Sequence, residues 1–358
     1  MRKRLRLLNR IARKCSMISM KDIAKRCGVS VATVSKALNG HTDISDETKR
    51  MVREMCREMG YLPNSSARAL KTKRTYNLGV LFIDEAQNGL THDYFARVLD
   101  AFKVEAESKG YDITFINSSR TNRTMTYLEH SRYRGVDGVV IACVNFESQE
   151  VLDLVRSSLP VVTIDHSFDS KPCVMSDNIE GMRTLVSYIL SQGHRRVAYI
   201  NGGDGSSVTR NRIGSFHRTM AEHGIEVPDA YMRQGIYRDP DSCYRQTEEL
   251  LDMEEPPTCI IYPDDLAAIG GINAIKDRGL SIPDDVSIAG YDGLNIAKML
   301  SPKFTTIEQD ARTIGRLAAE KLIGMIERPK STVVERIVVQ GKLLPGDSVK
   351  NILPGEGE

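Results

Sequence analysis

Two sets of side chains in this 358-residue sequence have types and spacing that could do chemistry. One is a field of cations: residues 1–75 hold 19 Lys and Arg against 6 Asp and Glu, a net charge of +13, while the remainder holds 30 against 41, a net charge of −11. Charge segregated in this way marks a polyanion-binding head on a body that polyanions repel. Cations that merely solvated helices would have acids interleaved among them, as they do in the remainder. The other set is a series of polar runs, each ending a short apolar stretch: FIDEAQN (82–88), INSSR (116–120), TIDHS (163–167), INGGDGSS (200–207), IYPDD (261–265) and AGYDG (289–293).

Covalent and redox chemistry find less support. The run GGDGSSV at 202–208 lacks both the G-x-G-x-x-G spacing and the GK[ST] ending of phosphate loops, and reads as a pocket loop. No G-x-S-x-G elbow, H-E-x-x-H or cluster of Cys and His occurs, and His194 sits in a helix-to-strand turn, where its role is structural. The cysteines Cys15, Cys27, Cys56, Cys143, Cys173, Cys243 and Cys259 are never spaced as Cys-x-x-Cys and read as small buried hydrophobes of a reducing compartment. The chain is therefore read as a non-enzyme with no metal and no cofactor. No apolar run approaches the roughly 18 residues of a membrane span. The opening MRKRLRLLNRIARKC is broken by Arg10, Arg13 and Lys14 where a signal peptide would be apolar, so a cytoplasmic location is expected.

The cationic field needs a scaffold, and residues 20–62 supply one. In 21–40, Ile23, Ala24, Val29, Val34 and Leu38 keep helical spacing on both sides of Gly28-Val29-Ser30, so two short helices meet at a turn. Gly28 can take φ > 0 there, and the Ser30 hydroxyl can cap the second helix. A third helix follows, with Ser45 as N-cap, Asp46 and Glu47 in its first turn, Met51, Val52 and Met55 on the core side, and Gly60 closing it. The result is a small all-α helix-turn-helix domain. Residues 1–19 form a basic extension expected to be disordered, either an arm that adds phosphate contacts or a consequence of start-site choice, since Met17 and Met20 precede the first organised segment. Residues 63–76 have linker composition, and an isolated helix of about eight residues is marginal in water.

The polar tips need strands. NLGVLFI, YDITFIN, DGVVIA and PVVTID read as strands around a helix from Tyr94 to Lys109, and a second set follows: RRVAYI, TCII and VSIAGYD, with helices Glu180–Gln192, Val208–His223, Asp241–Leu251 and Asp265–Arg278. Alternation of this kind gives α/β lobes, parallel sheets flanked by helices. Ligands bind such sheets beyond the C-terminal strand ends, and facing lobes would bring the tips into one cleft.

The runs DIAKRCGVSVATVSKALNG and ISDETKRMVREMCREMGYLPNSSARAL closely resemble the head and hinge of the lactose/galactose repressor family. The resemblance continues through Asp177, Asn178 and Gly181, GHRRVAYI (193–200), IPDDVSIAGYD (282–292) and TTIEQD (305–310). It implies a periplasmic-binding-protein-like sensor over 77–349, with lobe 1 at about 77–175 and 308–330, lobe 2 at about 178–305 and 334–349, and a tail at 350–358. Three hinge strands would run near 175–178, 305–309 and 329–336. In the head it implies a reading helix in the major groove, with Val31, Ala32 and Lys36 facing bases and Ser30, Thr33, Ser35 and Asn39 near phosphate or base edges. Ala and Val can contact a thymine methyl, and Lys36 can donate to guanine O6 or N7 with less geometric discrimination than an Arg. Asn64, Ala67 and Leu70 match the family's hinge helix, with Leu70 as the minor-groove wedge.

Carried over by position, the resemblance draws Asp93, Tyr94, Phe95, Ser118 and Asp165 to the ligand from the first lobe and Arg212, Tyr237 and Asp292 from the second. The family's Arg-x-x-Gly-Phe stands here as Arg212-Ile213-Gly214-Ser215-Phe216, which leaves Arg210 as a rival. Tyr94 and Phe95 could instead be helix core, Asp165 could cap a turn, and Arg212 could pair with a surface acid. Asp292 ends a buried strand with no other reason to be charged. The expected function is a homodimeric repressor on a palindromic double-stranded operator, governed by a small sugar; one short head needs a second for useful specificity. The alternative is a purine or a phosphocarrier protein as corepressor. A transport solute-binding protein should have a cleavable signal and no basic head. The tail NILPGEGE has no heptads, which favours a dimer over a tetramer.

Overall fold

A computed structural model of the chain describes residues 18–61, 74–83, 89–117, 125–203 and 205–354. It contains two compact units, residues 1–75 and 76–358. In the first, helices α1 (Met20–Cys27), α2 (Val31–Leu38) and α3 (Asp46–Met59) pack around Ile23, Ala24, Val34, Ala37, Val52, Cys56 and Tyr61. Local chemistry sets their ends. Gly28 (φ +66°) terminates α1, the Ser30 hydroxyl accepts from Thr33 N at 3.0 Å to start α2, Ser45 accepts from Thr48 N at 3.3 Å to start α3, and Gly60 (φ +66°) stops it. Met51 departs from its expected core position and is 39% exposed. The buried stripe runs Val52, Met55, Cys56, Met59, and Met51 lies about 100° off it.

The second unit is built on two six-stranded sheets. The first contains β1 (Asn77–Phe82), β2 (Asp112–Ile116), β3 (Gly138–Ala142), β4 (Val161–Ile164), β5 (Cys173–Ser176) and β11 (Arg336–Val339), in the order β11-β5-β4-β3-β1-β2, all parallel. The second contains β6 (Val197–Asn201), β7 (Met232–Gln234), β8 (Cys259–Ile261), β9 (Ser287–Asp292), β10 (Thr305–Glu308) and β12 (Lys342–Leu344), in the order β12-β10-β9-β8-β6-β7, with β12 antiparallel to β10. The chain crosses between lobes at 176–178, 308–311 and 339–342. The third crossing corrects the expected boundary at 334: Arg336–Val339 pairs with Cys173–Ser176 in the first sheet, and only β12 joins the second.

Alternation along each strand feeds two faces. In β6, Val197 and Tyr199 pack with helices α7 (Asn178–Ser191) and α8 (Ser207–Glu222), while Ala198 and Ile200 pack with α9 (Pro240–Leu251) and α10 (Ala268–Asp277). The first sheet is covered by α4 (Asp93–Ser108) and α12 (Ala311–Glu327) on one face and by α5 (Tyr127–Arg134) and α6 (Gln149–Arg156) on the other, and the short α11 (Asn295–Met299) follows β9. Helix α10 begins three residues later than its expected start at Asp265, because the Asp264 carboxylate accepts from Leu266 N and Ala267 N and holds that segment as a turn. Among the described residues, no helix is long and apolar enough to cross a membrane.

Helices α4 and α12 approach closely at Gly315, where a Cβ would fall 2.1 Å from Val98 O. Gly315→Ala is expected to destabilise the second unit by about 1–3 kcal/mol through overpacking, measurable as a lowered urea midpoint.

Candidate functional site

On the head, Ser30, Val31, Ala32, Lys36 and Asn39 are exposed and Thr33 and Ser35 are half-buried, so the expected reading positions share the solvent face of α2. Val31 is 41% exposed, an apolar side chain with no core to fill. Two of the polar residues also serve the helix: Ser30 caps it, and Asn39 Nδ2 donates to Ser35 O at 2.7 Å. The Lys36 ammonium pairs with Asp43 across the following loop and holds that carboxyl below its ordinary range, mainly through the hydrogen bond. Asn64, Ala67 and Leu70, and likewise Ser118 of the body, lie outside the described residues.

In the second unit, a cavity of about 370 Å³ opens between the C-terminal strand ends of the two lobes. Its floor in the second lobe is organised by Arg212 of α8, whose side chain is 3% exposed. Nε donates to Asn178 Oδ1 at 2.8 Å, Nη1 donates to Pro263 O at 3.1 Å, and Nη2 lies 3.9 Å from Asp292 Oδ1. The guanidinium lies 3.6 Å from the centre of the Tyr291 ring. The rival Arg210 is exposed and donates to Gly205 O. Asp292, at the end of β9 with φ +103°, accepts from Gln309 Nε2 at 2.6 Å. Tyr237 closes over Gly202, where a Cβ would come within 2.0 Å of the ring, and its hydroxyl shares a 2.9 Å hydrogen bond with Thr209.

The first lobe contributes Asp165 at the end of β4. Its Oδ1 accepts from Ser176 N and its Oδ2 from the Tyr94 hydroxyl, both at 2.9 Å. Burial raises its pKa, against those two hydrogen bonds. Tyr94 is both core and site: its ring joins the α4–α12 cluster while it borders the cavity. Phe95 lines the cavity, whereas Asp93 does not. It is exposed at the start of α4 and faces Arg238 Nη1 of the other lobe at 3.7 Å.

Several lining residues were not anticipated: Phe146, His166, Arg238 and Asp264, with Asn178 and Gln309 marked only as parts of motifs. Asp264 and His166 stood within the polar tips IYPDD and TIDHS, so a stricter reading of the tips would have found them. Phe146 and Arg238 carry no motif. The Phe146 and His166 rings stack at 4.1 Å and 5°, and burial lowers the His166 pKa and favours the neutral ring. Burial, followed by the Asp292 charge, pushes Asp264 up to about 6. The combination of flat rings with carboxylates, amides and guanidinium groups at fixed positions can hold and orient the hydroxyls of a small molecule.

A helix-turn-helix unit and a two-lobed α/β unit with a cleft lined by aromatic and charged side chains, carried on one chain, define a ligand-sensing DNA-binding transcription regulator. Comparison with known proteins specifies the family. Residues 19–64 match "Bacterial regulatory proteins, lacI family", and residues 186–349 match "Periplasmic binding protein-like domain". The chain is 31% identical over 341 residues to "HTH-type transcriptional repressor PurR" of Serratia proteamaculans (strain 568), covering 93% of this chain and 97% of that one. It is 28% identical over 338 residues to "Probable HTH-type transcriptional repressor ExuR" of Bacillus subtilis (strain 168), covering 94% and 99%. A Lac repressor dimer bound to operator and the anti-inducer ONPF shares the fold, with a TM-score of 0.76, 23% identity and coverage of 93% and 99%. So does a CelR–cellobiose complex, with a TM-score of 0.66, 24% identity and coverage of 92% and 99%. This chain belongs to the lacI family of bacterial regulatory proteins.

Arg212→Met would leave the Asp292 carboxylate and Asn178 Oδ1 buried without their cation, and is expected to cost about 3–5 kcal/mol of stability. Arg210→Ala is expected to stay within about 0.5 kcal/mol, and urea unfolding of both variants checks the contrast. The raised Asp264 pKa means that stability present below the ordinary carboxyl range is lost as pH climbs through the raised value. Between pH 3.8 and about 6, the melting temperature of Asp264→Asn should therefore gain on the wild type, whatever the offset between them. A constant difference across that window would contradict the shift.

Proposed function

We propose that this regulator is a homodimeric cytoplasmic repressor of carbohydrate-utilisation genes, that it binds a palindromic operator, and that a small sugar in the inter-lobe cleft controls that binding. The cleft binds its effector without turning it over. The observation that carries the proposal is the Arg212–Asp292–Gln309 network set among Phe95, Phe146, His166 and Tyr237. Fixed polar groups between flat rings suit a polyhydroxylated ring, because each hydroxyl finds a partner while the C–H faces pack on aromatics. The solved cellobiose complex of CelR, which shares the fold, is consistent with this reading.

Control would act through the polar contacts that join the lobes at the cleft. Arg97 Nη2 donates to Asp292 O at 3.3 Å, and Ser207 Oγ donates to Asp165 O at 3.4 Å. A ligand that binds both lobes favours one lobe arrangement only by its difference in affinity for the two. In the head, Val31, Ala32 and Lys36 would read bases, with Lys36 exchanging Asp43 for a base edge. The stacked Phe146–His166 pair would also accept a purine, which keeps the corepressor reading as the second possibility.

Gel-shift titration with an operator, with and without neutral sugars, sugar acids, sugar phosphates and nucleobases, tests the proposal. A sugar is expected to change operator affinity, and Asp292→Asn to abolish that response while leaving the ligand-free affinity intact. A response to nucleobases alone would replace the sugar by a purine, and silence to every compound would remove the cleft as a sensor.

A further inference from the structure

The charged groups around the cleft can be accounted for one by one. Asp165 holds the Tyr94 hydroxyl and Ser176 N. Asp264 holds three backbone N–H groups, those of Arg238, Leu266 and Ala267. Asp292 holds Gln309 and faces Arg212, whose own donors go to Asn178 and Pro263 O. Arg238 is different. It borders the cavity with its side chain only 8% exposed, yet its Nε is buried with no hydrogen-bond acceptor among the described residues, a condition it shares with Arg97, which does not line the cavity. Its Nη2 donates to Thr91 O at 3.1 Å, and its nearest carboxylate, Asp93, stands 3.7 Å away and is itself 61% exposed. A counter-charge so loosely placed and so well hydrated is weak compensation for a guanidinium this enclosed.

We infer that Arg238 is a specificity-determining residue of the effector site, and that the effector is a sugar-sized polyol bearing an anionic group, a carboxylate or a phosphate, which docks on the Arg238 guanidinium. The inference rests on the proposal that the cleft binds an effector. A neutral hydroxyl could accept the orphan Nε–H, but only an anion also supplies the missing charge and uses the planar fork in a bidentate way. Arg238 is well held for this task. Its backbone, at φ +59°, is pinned by its N–H to Asp264 at 2.7 Å. Asp93 then acts as a stand-in that occupies the cation until the ligand anion replaces it. The cavity volume, about 370 Å³, lies at the lower end of the usual range for ligand sites, which favours a single substituted ring over a longer oligomer.

The test uses the full chain in isothermal titration with three matched series: glucose, galactose and mannose; their uronates; and their 6-phosphates. At least one anion is expected to bind about tenfold or more tightly than its neutral parent, and the uronate and phosphate arms tell which anion it is. Arg238→Gln should bring the ratio of anion to neutral-sugar affinity close to one, and that ratio, rather than either affinity alone, is the readout. Arg238→Lys should restore part of the preference, and Asp93→Asn should tighten anion binding severalfold. A neutral sugar that binds as well as its anions, with no effect of Arg238→Gln on the ratio, overturns the role of Arg238 and leaves the sensing cleft standing. If none of the series binds, the sugar-sensing proposal fails, and this inference fails with it.

Discussion

The buried guanidinium of Arg212 is the constraint on which the sensing lobe is built. Taking a cation out of water is costly unless it is hydrogen-bonded and paired, and here the partners come from separate elements: Asn178 at the start of α7 and Pro263 after β8 accept hydrogen bonds, and Asp292 at the end of β9 supplies a carboxylate 3.9 Å away. The ring of Tyr291 adds a flat face beneath it. One side chain therefore fixes the relative positions of the strand ends that form the floor of the cleft. Its environment also explains the directions of the titration shifts around it: burial opposes the charge, while Tyr237, Tyr291 and Asp292 outweigh that penalty and hold the guanidinium protonated.

The contrast between lobe interiors and the cleft matters for control. Each sheet is sealed on both faces by continuous apolar clusters, which are close-packed and deform little. At the cleft the lobes meet through polar contacts of 3.1–3.4 Å, from Arg238 to Thr91 O, Arg97 to Asp292 O and Ser207 to Asp165 O, and through Leu266, Leu294 and Ile296 of the second lobe, which pack against the apolar cluster of the first. Hydrogen bonds near the long limit are the weakest of their kind and are readily exchanged for a ligand's. Rigid bodies joined by exchangeable contacts are what a ligand-driven change of lobe arrangement requires.

The head solves a different problem. With few residues to bury, it relies on caps and turn glycines to set four helix boundaries, and it leaves the outer face of α2 unburied. Lys36 and Asp43 neutralise each other on that face, so it is less positive than the composition of the unit implies. An acid beside an exposed cation lowers its general attraction to phosphate.

Much of this was legible in the sequence, because the signals are local. Buried parallel strands must be apolar on both faces, so NLGVLFI and VSIAGYD declare themselves, and Gly28, Ser30, Ser45 and Gly60 mark helix ends through their own backbone and side-chain chemistry. What the sequence left open needed partners distant along the chain. Arg210 stood as a rival to Arg212: residues two apart on a helix point about 200° away from each other, and only the packing of α8 decides which one faces inward. The edge strand Arg336–Val339 could have joined either lobe, since a short apolar run does not say which strand it pairs with; its pairing with Cys173–Ser176 is a tertiary choice. Arg238 had no motif at all. Its enclosure by Thr91, Asp93 and Asp264 arises from three distant stretches of chain meeting at one point. The sequence by itself determined the elements and the polar character of the strand tips, through local propensity and period. Only the tertiary structure decided which charges are compensated, because compensation depends on distances between groups far apart in the chain.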